Sequence, residues 1–189
     1  MPSPGALRLR WLTSPEVVEP EVRDQLAVCW RDVSNAGGAV GFAFLPVSDA
    51  QVRPAVQDMV QSLDPLLNRL LVATVGGVLA GWLILSGNPS RLTAHWARVL
   101  RVQTALQHRG RGVGRALMTE LARAAREDFG LEQLHLELRG GLGLEGFYES
   151  CGWREVGRWP VALRLPGGDQ DEVLMLLPLV DARPPELSG

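Results

Sequence analysis

The chain contains no lysine: all 19 of its basic side chains are arginines. It therefore has no Gly-Lys pair from which to build a nucleotide-binding P-loop. It has only two cysteines, Cys29 and Cys151, which excludes a disulfide framework and suits a reducing compartment. Histidine is equally scarce, with 3 residues, and no cysteines and histidines stand at zinc-site spacing, so no metal is expected. No apolar run approaches the ~20 residues of a membrane span. The opening MPSPGALRLR lacks the apolar core of a signal peptide, so a cytoplasmic location with no membrane partner is expected. A net charge of −2 and a pI near 5.9 leave no overall positive field and argue against a nucleic-acid partner. Tyrosine occurs once, at Tyr148.

What is present is apolar mass: 46% of 189 residues are hydrophobic, enough for one domain with a sizeable core. Residues 1–5 and 181–189 are expected to be loose termini around a domain spanning 6–180. Ala6–Leu12 alternates as a half-buried strand. Ser14-Pro15 then opens a helical region, in two pieces or with a later start because of Pro20, in which Val18, Val22, Leu26 and Trp30 recur at helical spacing. Asn35–Phe44 is a glycine-rich apolar loop that packs either against the core or against a substrate. Ser48–Leu63 reads as a second helix with Ser48 as its cap. Asn68–Thr74 and Val78–Ser86 flank Val75-Gly76-Gly77 as a hairpin, the second run apolar enough to be buried on both faces. Thr93–Thr104 is the next strand, Gly112–Phe129 an amphipathic helix stopped by Gly130, and Glu132–Leu138 an alternating strand. Leu142–Cys151 reads as a short helix, and Trp153–Leu165 and Asp171–Leu179 as two last strands. The expected fold is α/β (α+β), a mixed central sheet of about seven strands with helices on both faces. The two strands flanking the long helix should be parallel.

The stretch Val102–Arg126 organises this plan. An apolar strand runs into a turn in which Gly110, Gly112 and Gly114 alternate with Arg109, Arg111, Val113 and Arg115, and the turn opens into a helix. Glycine lets the main chain come close to a ligand. The first N–H groups of the helix have no partner within it and carry the positive end of its dipole. Such a site should hold a phosphate or pyrophosphate. A Walker loop is ruled out because Arg115-Ala116 follows Gly114. The alternate glycine spacing and the late position in the chain weigh against a Rossmann turn, and three glycines with three arginines in seven residues weigh against a plain connector.

Arg109-Gly110-Arg111-Gly112-Val113-Gly114 resembles motif A of the GNAT acetyltransferase superfamily, with Arg109, Gly112 and Gly114 at the matching positions. About 35 residues on, Phe147-Tyr148 followed by Gly152-Trp153 resembles the second signature of that superfamily. Within it, the likeness is to the tabtoxin-resistance type, carried by Gly38-Ala39-Val40-Gly41-Phe42, by His95-Trp96-Ala97-Arg98-Val99, and by the C-terminal half from His135-Leu136-Glu137 to Trp159-Pro160. The resemblance implies an N-acetyltransferase with acetyl-CoA as co-substrate, transferring acetyl directly, in a ternary complex, to a primary amine of a small molecule. It implies that Gly112, Val113, Gly114, Arg115 and Ala116 cradle the pyrophosphate, with Arg109, Gly110 and Arg111 beside it. The pantetheine would lie along Val102, Gln103 and Thr104. Homodimers are common among similar proteins.

Transfer to an amine requires a held donor, a deprotonated acceptor, a stabilised oxyanion and a protonated leaving sulfur. By resemblance, Tyr148 protonates the thiolate. Glu137 is the candidate base, and a partly buried carboxylate there would have a raised pKa. His95 is the other titratable candidate. Arg98 stands where related enzymes carry a glutamate and cannot serve as a base. Trp96 and Trp159 are placed to wall the acceptor pocket, His108 and Gln107 belong at the cofactor mouth, and His135 packs. A non-catalytic acyl-CoA-binding sensor is the alternative reading.

Overall fold

A computed structural model describes residues 5–38, 41, 42 and 44–180. The expected loose ends at 1–4 and 181–189, and Ala39, Val40 and Ala43 of the glycine-rich loop, lie outside the described residues. The chain forms β1 (Leu7–Leu12), a 3-10 turn (Pro15–Val17), α1 (Pro20–Asn35), α2 (Asp49–Gln61), β2 (Asn68–Val75), β3 (Val78–Ser86), β4 (Trp96–Thr104), a second 3-10 turn (Leu106–His108), α3 (Val113–Glu127), β5 (Gln133–Arg139), α4 (Glu145–Glu149), β6 (Arg154–Leu163) and β7 (Gln170–Pro178).

The strands make one seven-stranded sheet in the order β1-β2-β3-β4-β5-β7-β6. Every pairing is antiparallel except β4 with β5, the pair joined through α3. β2 and β3 turn on Gly76 and Gly77 at φ +60° and +85°, the two left-handed residues that a tight hairpin needs. β3 is buried from Leu79 to Leu85, because both faces of the sheet are covered there. On one face α3 lays Val113, Leu117, Leu121 and Ala125 onto Leu71, Leu83, Leu85, Val99 and Leu136. On the other, α1 and α2 contribute Leu26, Trp30, Val33, Val52, Val56 and Val60 against Leu70, Val72, Trp82 and Ile84. Leu117 and Leu121 are fully buried, each contributing about 1.5–3 kcal/mol of transfer free energy.

Local chemistry explains where the elements depart from expectation. Ser14 makes no side-chain cap, and α1 starts instead with Pro20 in its first turn. Ser48 does cap α2, its N–H donating to Gln51 Oε1 at 3.0 Å. β4 begins at Trp96 rather than Thr93 because Asn88 Nδ2 donates to the carbonyls of Thr93 and Trp96, at 3.1 and 2.8 Å, and folds the intervening residues into a turn. α4 is shorter than Leu142–Cys151 because Gly141 and Gly143 sit at φ +81° and +67°, outside the helical region. Gly130 ends the α3 segment at φ +65°. No helix among the described residues is long and apolar enough to cross a membrane, and no group of His, Cys, Asp and Glu among them could hold a metal.

Candidate active site

β4 and β5 are joined by only three residue pairs, Trp96–Gln133, Ala97–Leu134 and Arg98–His135. Beyond them the strands part. On its other edge β4 pairs Ile84 with Leu100 and Trp82 with Gln103, so Arg101 and Val102 together oppose Leu83 and form a bulge. Arg101 takes φ +57°, a left-handed conformation that costs a non-glycine residue free energy and clusters at functional sites. The bulge increases the local twist of β4 and accompanies its divergence from β5. The gap between the two strands opens a cleft of about 730 Å³.

The N-terminus of α3 closes one end of this cleft. Gly110 and Gly112 are at φ +70° and +80°, so the turn needs glycine at both. Gly112 occupies the N-cap with no side-chain cap, and the first hydrogen bond of the helix is Ala116 N–H to Gly112 O at 2.9 Å. The N–H groups of Val113, Gly114 and Arg115 precede that bond and have no partner within the helix. Arg109 lines the cleft beside them. Arg115 also lines it, its guanidinium anchored to Ser150 O and Oγ at 3.1 and 3.0 Å. Ala36, Gly37 and Gly38, where α1 ends, line it as well. The cleft wall thus includes the positive pole of one helix and the negative pole of another.

Glu137 of β5 and Tyr148 of α4 also line the cleft. Tyr148 is 6% exposed and packs edge-on against Phe147 and Trp153, with ring centroids 5.1 and 6.0 Å apart. Burial, with a smaller contribution from Cys151, holds its phenol well above the ordinary tyrosine value. The hydroxyl therefore keeps its proton throughout the neutral range. Glu137 lies on the face of β5 opposite the buried Leu134, Leu136 and Leu138, and it is exposed.

Of the residues singled out from sequence, Val102, Gln103, Thr104, His108, Arg109, Gly110, Gly112, Val113, Gly114, Arg115, Glu137 and Tyr148 all line this one cleft. Arg111 and Ala116 are not on its wall, Ala116 facing a shallow depression on the outer side of α3 with Leu9 and Glu120. His95 is exposed in the turn before β4 and does not join Glu137 and Tyr148. Trp96 is not a cleft wall: its ring stacks on His135 at 4.3 Å and 9°, so His135 packs as expected. Burial, Arg98 and His95 lower the His135 pKa. Trp159 stands 56% exposed on β6, outside the cleft. Two further charged residues line the cleft. Arg101 sits in a mostly apolar strand, where a charge is itself a cue. Arg139 looked like an ordinary strand end.

No curated protein matches this sequence. Solved structures share its fold. The Salmonella typhimurium protein yncA, determined with its cofactor acetyl-CoA, superposes with a TM-score of 0.72 at 16% identity, over 96% of this chain and 99% of that one. The ribosomal-protein-S18-alanine N-acetyltransferase of Escherichia coli gives 0.66 at 20% identity, over 94% and 97%. A spermidine N-acetyltransferase chimera built from Vibrio cholerae SpeG and hSSAT gives 0.69 at 18%, over 92% and 95%. The pattern of the acetyltransferase (GNAT) family matches residues 27–153, from the middle of α1 through the glycine turn to the residue before β6. A match across two-thirds of the sequence, ending beyond Tyr148, establishes that the chain belongs to the GNAT acetyltransferases, whose acyl donor is acetyl-CoA.

Proposed function

We propose that the protein is an N-acetyltransferase that moves acetyl from acetyl-CoA directly to a primary amine of a small molecule, with donor and acceptor bound together. The observation that carries this reading is the meeting of an uncapped helix N-terminus, a buried phenol and a carboxylate in one cleft. The donor fits the site. The free N–H groups of Val113–Arg115, with Arg109, suit its pyrophosphate, and the unpaired edge of β4 offers main-chain partners to its pantetheine amides. Acetyl-CoA supplies the activated thioester.

The protein's own groups do the rest. Main-chain N–H groups beside the Arg101 bulge would polarise the thioester carbonyl. Glu137 takes a proton from the acceptor ammonium and leaves a nucleophilic amine. Tyr148 donates its hydroxyl hydrogen to the departing sulfur. A phenol held above about 10 is a weaker acid than a thiol of about 8.5, so the hydroxyl acts by hydrogen-bonding the sulfur as charge builds during bond breaking. A cytoplasmic location accords with this reading and with free cysteines. Isothermal titration with acetyl-CoA should give saturable binding, and thiol release in the presence of an amine library should show turnover. Binding of acetyl-CoA without amine-dependent release of CoA would indicate a sensor instead.

A further inference from the structure

Glycine is the residue that adopts a left-handed backbone freely, yet the β4 bulge carries an arginine at φ +57°. A strained residue persists when its surroundings over-determine it, and at Arg101 the surroundings act through the side chain. The guanidinium carbon stands 4.6 Å from the centre of the Trp30 ring, a cation over an aromatic face. Trp30 is itself fixed, buried in the core on the α1 side of the sheet and flanked by Phe42 and Trp82 at 5.2 and 5.4 Å. The guanidinium also packs against the main chain of Gly41, so closely that a Cβ there would overlap it. The next residue is held from the opposite side: Val102 packs against the core under α3. The peptide unit between Arg101 and Val102 is therefore gripped through both faces of the sheet. On the β5 edge the ladder has already ended at Arg98, so no strand partner on that side sets the direction of this peptide.

We infer that Arg101 is a positioning residue for acetyl transfer: anchored on Trp30 and Gly41, its side chain fixes the bulge in the orientation that aims main-chain N–H groups at the thioester carbonyl. The role rests on the acetyltransferase reading above and specifies how the carbonyl-polarising part of that site is kept in place. Electrostatic stabilisation of this kind depends on donors that are aimed before charge develops. A glycine would reach the same φ but leave the peptide free to turn. An arginine introduces strain, which its stack on Trp30 offsets, and leaves the peptide one orientation.

The test reads the carbonyl directly. Acetyl-CoA isotopically labelled at the acetyl carbonyl carbon is bound to the full chain without acceptor, and the carbonyl band is isolated as an isotope difference in the infrared. In the wild type the band should lie below its position for free acetyl-CoA in water. Arg101→Ala should move it most of the way back and lower kcat by on the order of 10- to 100-fold, less than the full loss of an oxyanion donor, while acceptor KM and acetyl-CoA Kd stay within about threefold. Arg101→Lys, which keeps a cation for the Trp30 face, should recover part of both effects. A residue that served only packing would change the urea melt and leave the band in place. An unmoved band in Arg101→Ala therefore overturns the inference, and so does a loss confined to acceptor KM, which would make Arg101 a substrate ligand. If Arg101→Ala fails to fold, Arg101→Gly, which takes φ +57° without strain, and Arg101→Lys are read in the same way. If no amine turns over, the band alone decides. A wild-type band at the free position, or no binding of acetyl-CoA, removes the carbonyl-polarising reading of the site and this inference with it. A shifted wild-type band that survives Arg101→Ala removes only the role of Arg101.

Discussion

Replacing Tyr148 by Phe tests the proposed chemistry with little cost to the fold. The hydroxyl makes no hydrogen bond to another described residue, and the ring is held edge-on by Phe147 and Trp153. Phenylalanine keeps that packing and strands no partner, so stability should change by less than about 1 kcal/mol, with a slight gain as plausible as a loss. Catalysis loses a hydrogen bond to a sulfur that becomes charged only as its bond to carbon breaks. Hydrogen bonds to charged groups contribute about 1.5–3 kcal/mol, which at about 1.36 kcal/mol per decade is roughly a 10- to 150-fold fall in kcat. Full general-acid catalysis would raise the loss toward about 10⁴-fold. Acetyl-CoA affinity, which the proposal assigns to the glycine turn, should stay within about twofold. The assay is amine-dependent CoA release, paired with isothermal titration of acetyl-CoA and a urea melt. A variant that binds the donor normally and turns over at the wild-type rate would remove Tyr148 from the mechanism.

Four further outcomes follow from the structure. Gly112→Ala should lower stability by about 1–2 kcal/mol, because φ +80° is costly for any residue with a Cβ, and should weaken acetyl-CoA binding at least about tenfold; urea melts and titration read both. Gly41→Ala would put its Cβ into the space of Arg101 Nη1, so it should dislodge the guanidinium from Trp30, and a crystal structure of the variant with Arg101 still stacked would refute this. Burial pushes the Cys29 thiol up to about 12, so alkylation of the native protein at pH 8 should label the half-buried Cys151 and spare Cys29 until the chain unfolds, as peptide mass spectrometry would show. The raised Tyr148 pKa also has a sign: below the ordinary phenol value of about 10 its contribution to stability is intact, and above it stability should decline, because the unfolded chain ionises first.

Much of this architecture could be read locally. The Gly76-Gly77 hairpin, the apolar stripe of α3 and the glycine turn all depend on residues close in sequence. The boundaries that slipped have mixed causes. Gly141 and Gly143 were visible signs against a long α4, but the late start of β4 depends on Asn88 folding back over eight residues. The cleft itself was less legible. Arg101 adopts a left-handed backbone with no glycine to announce it, since the strain is imposed by the mismatch between β3 and β4. Trp96 and His135 meet only because β4 and β5 run parallel, and the exposure of Glu137 depends on how far α1 and α2 extend over the sheet. Motif likeness singled out the glycine turn, which lines the cleft, whereas Arg101 and Arg139 stand on segments that share no motif.

The three-pair seam between β4 and β5 ties ligand occupancy to mechanics. Down most of their length those two strands have no rungs between them, and in the proposed binding mode the pantetheine amides would serve as the missing ones. Amide hydrogen exchange along Leu100–Thr104 should therefore slow when CoA is bound and quicken when it leaves. Each turnover would unfasten and refasten the middle of the molecule, so departure of the spent carrier, rather than acyl transfer, is the step most exposed to changes in sheet rigidity.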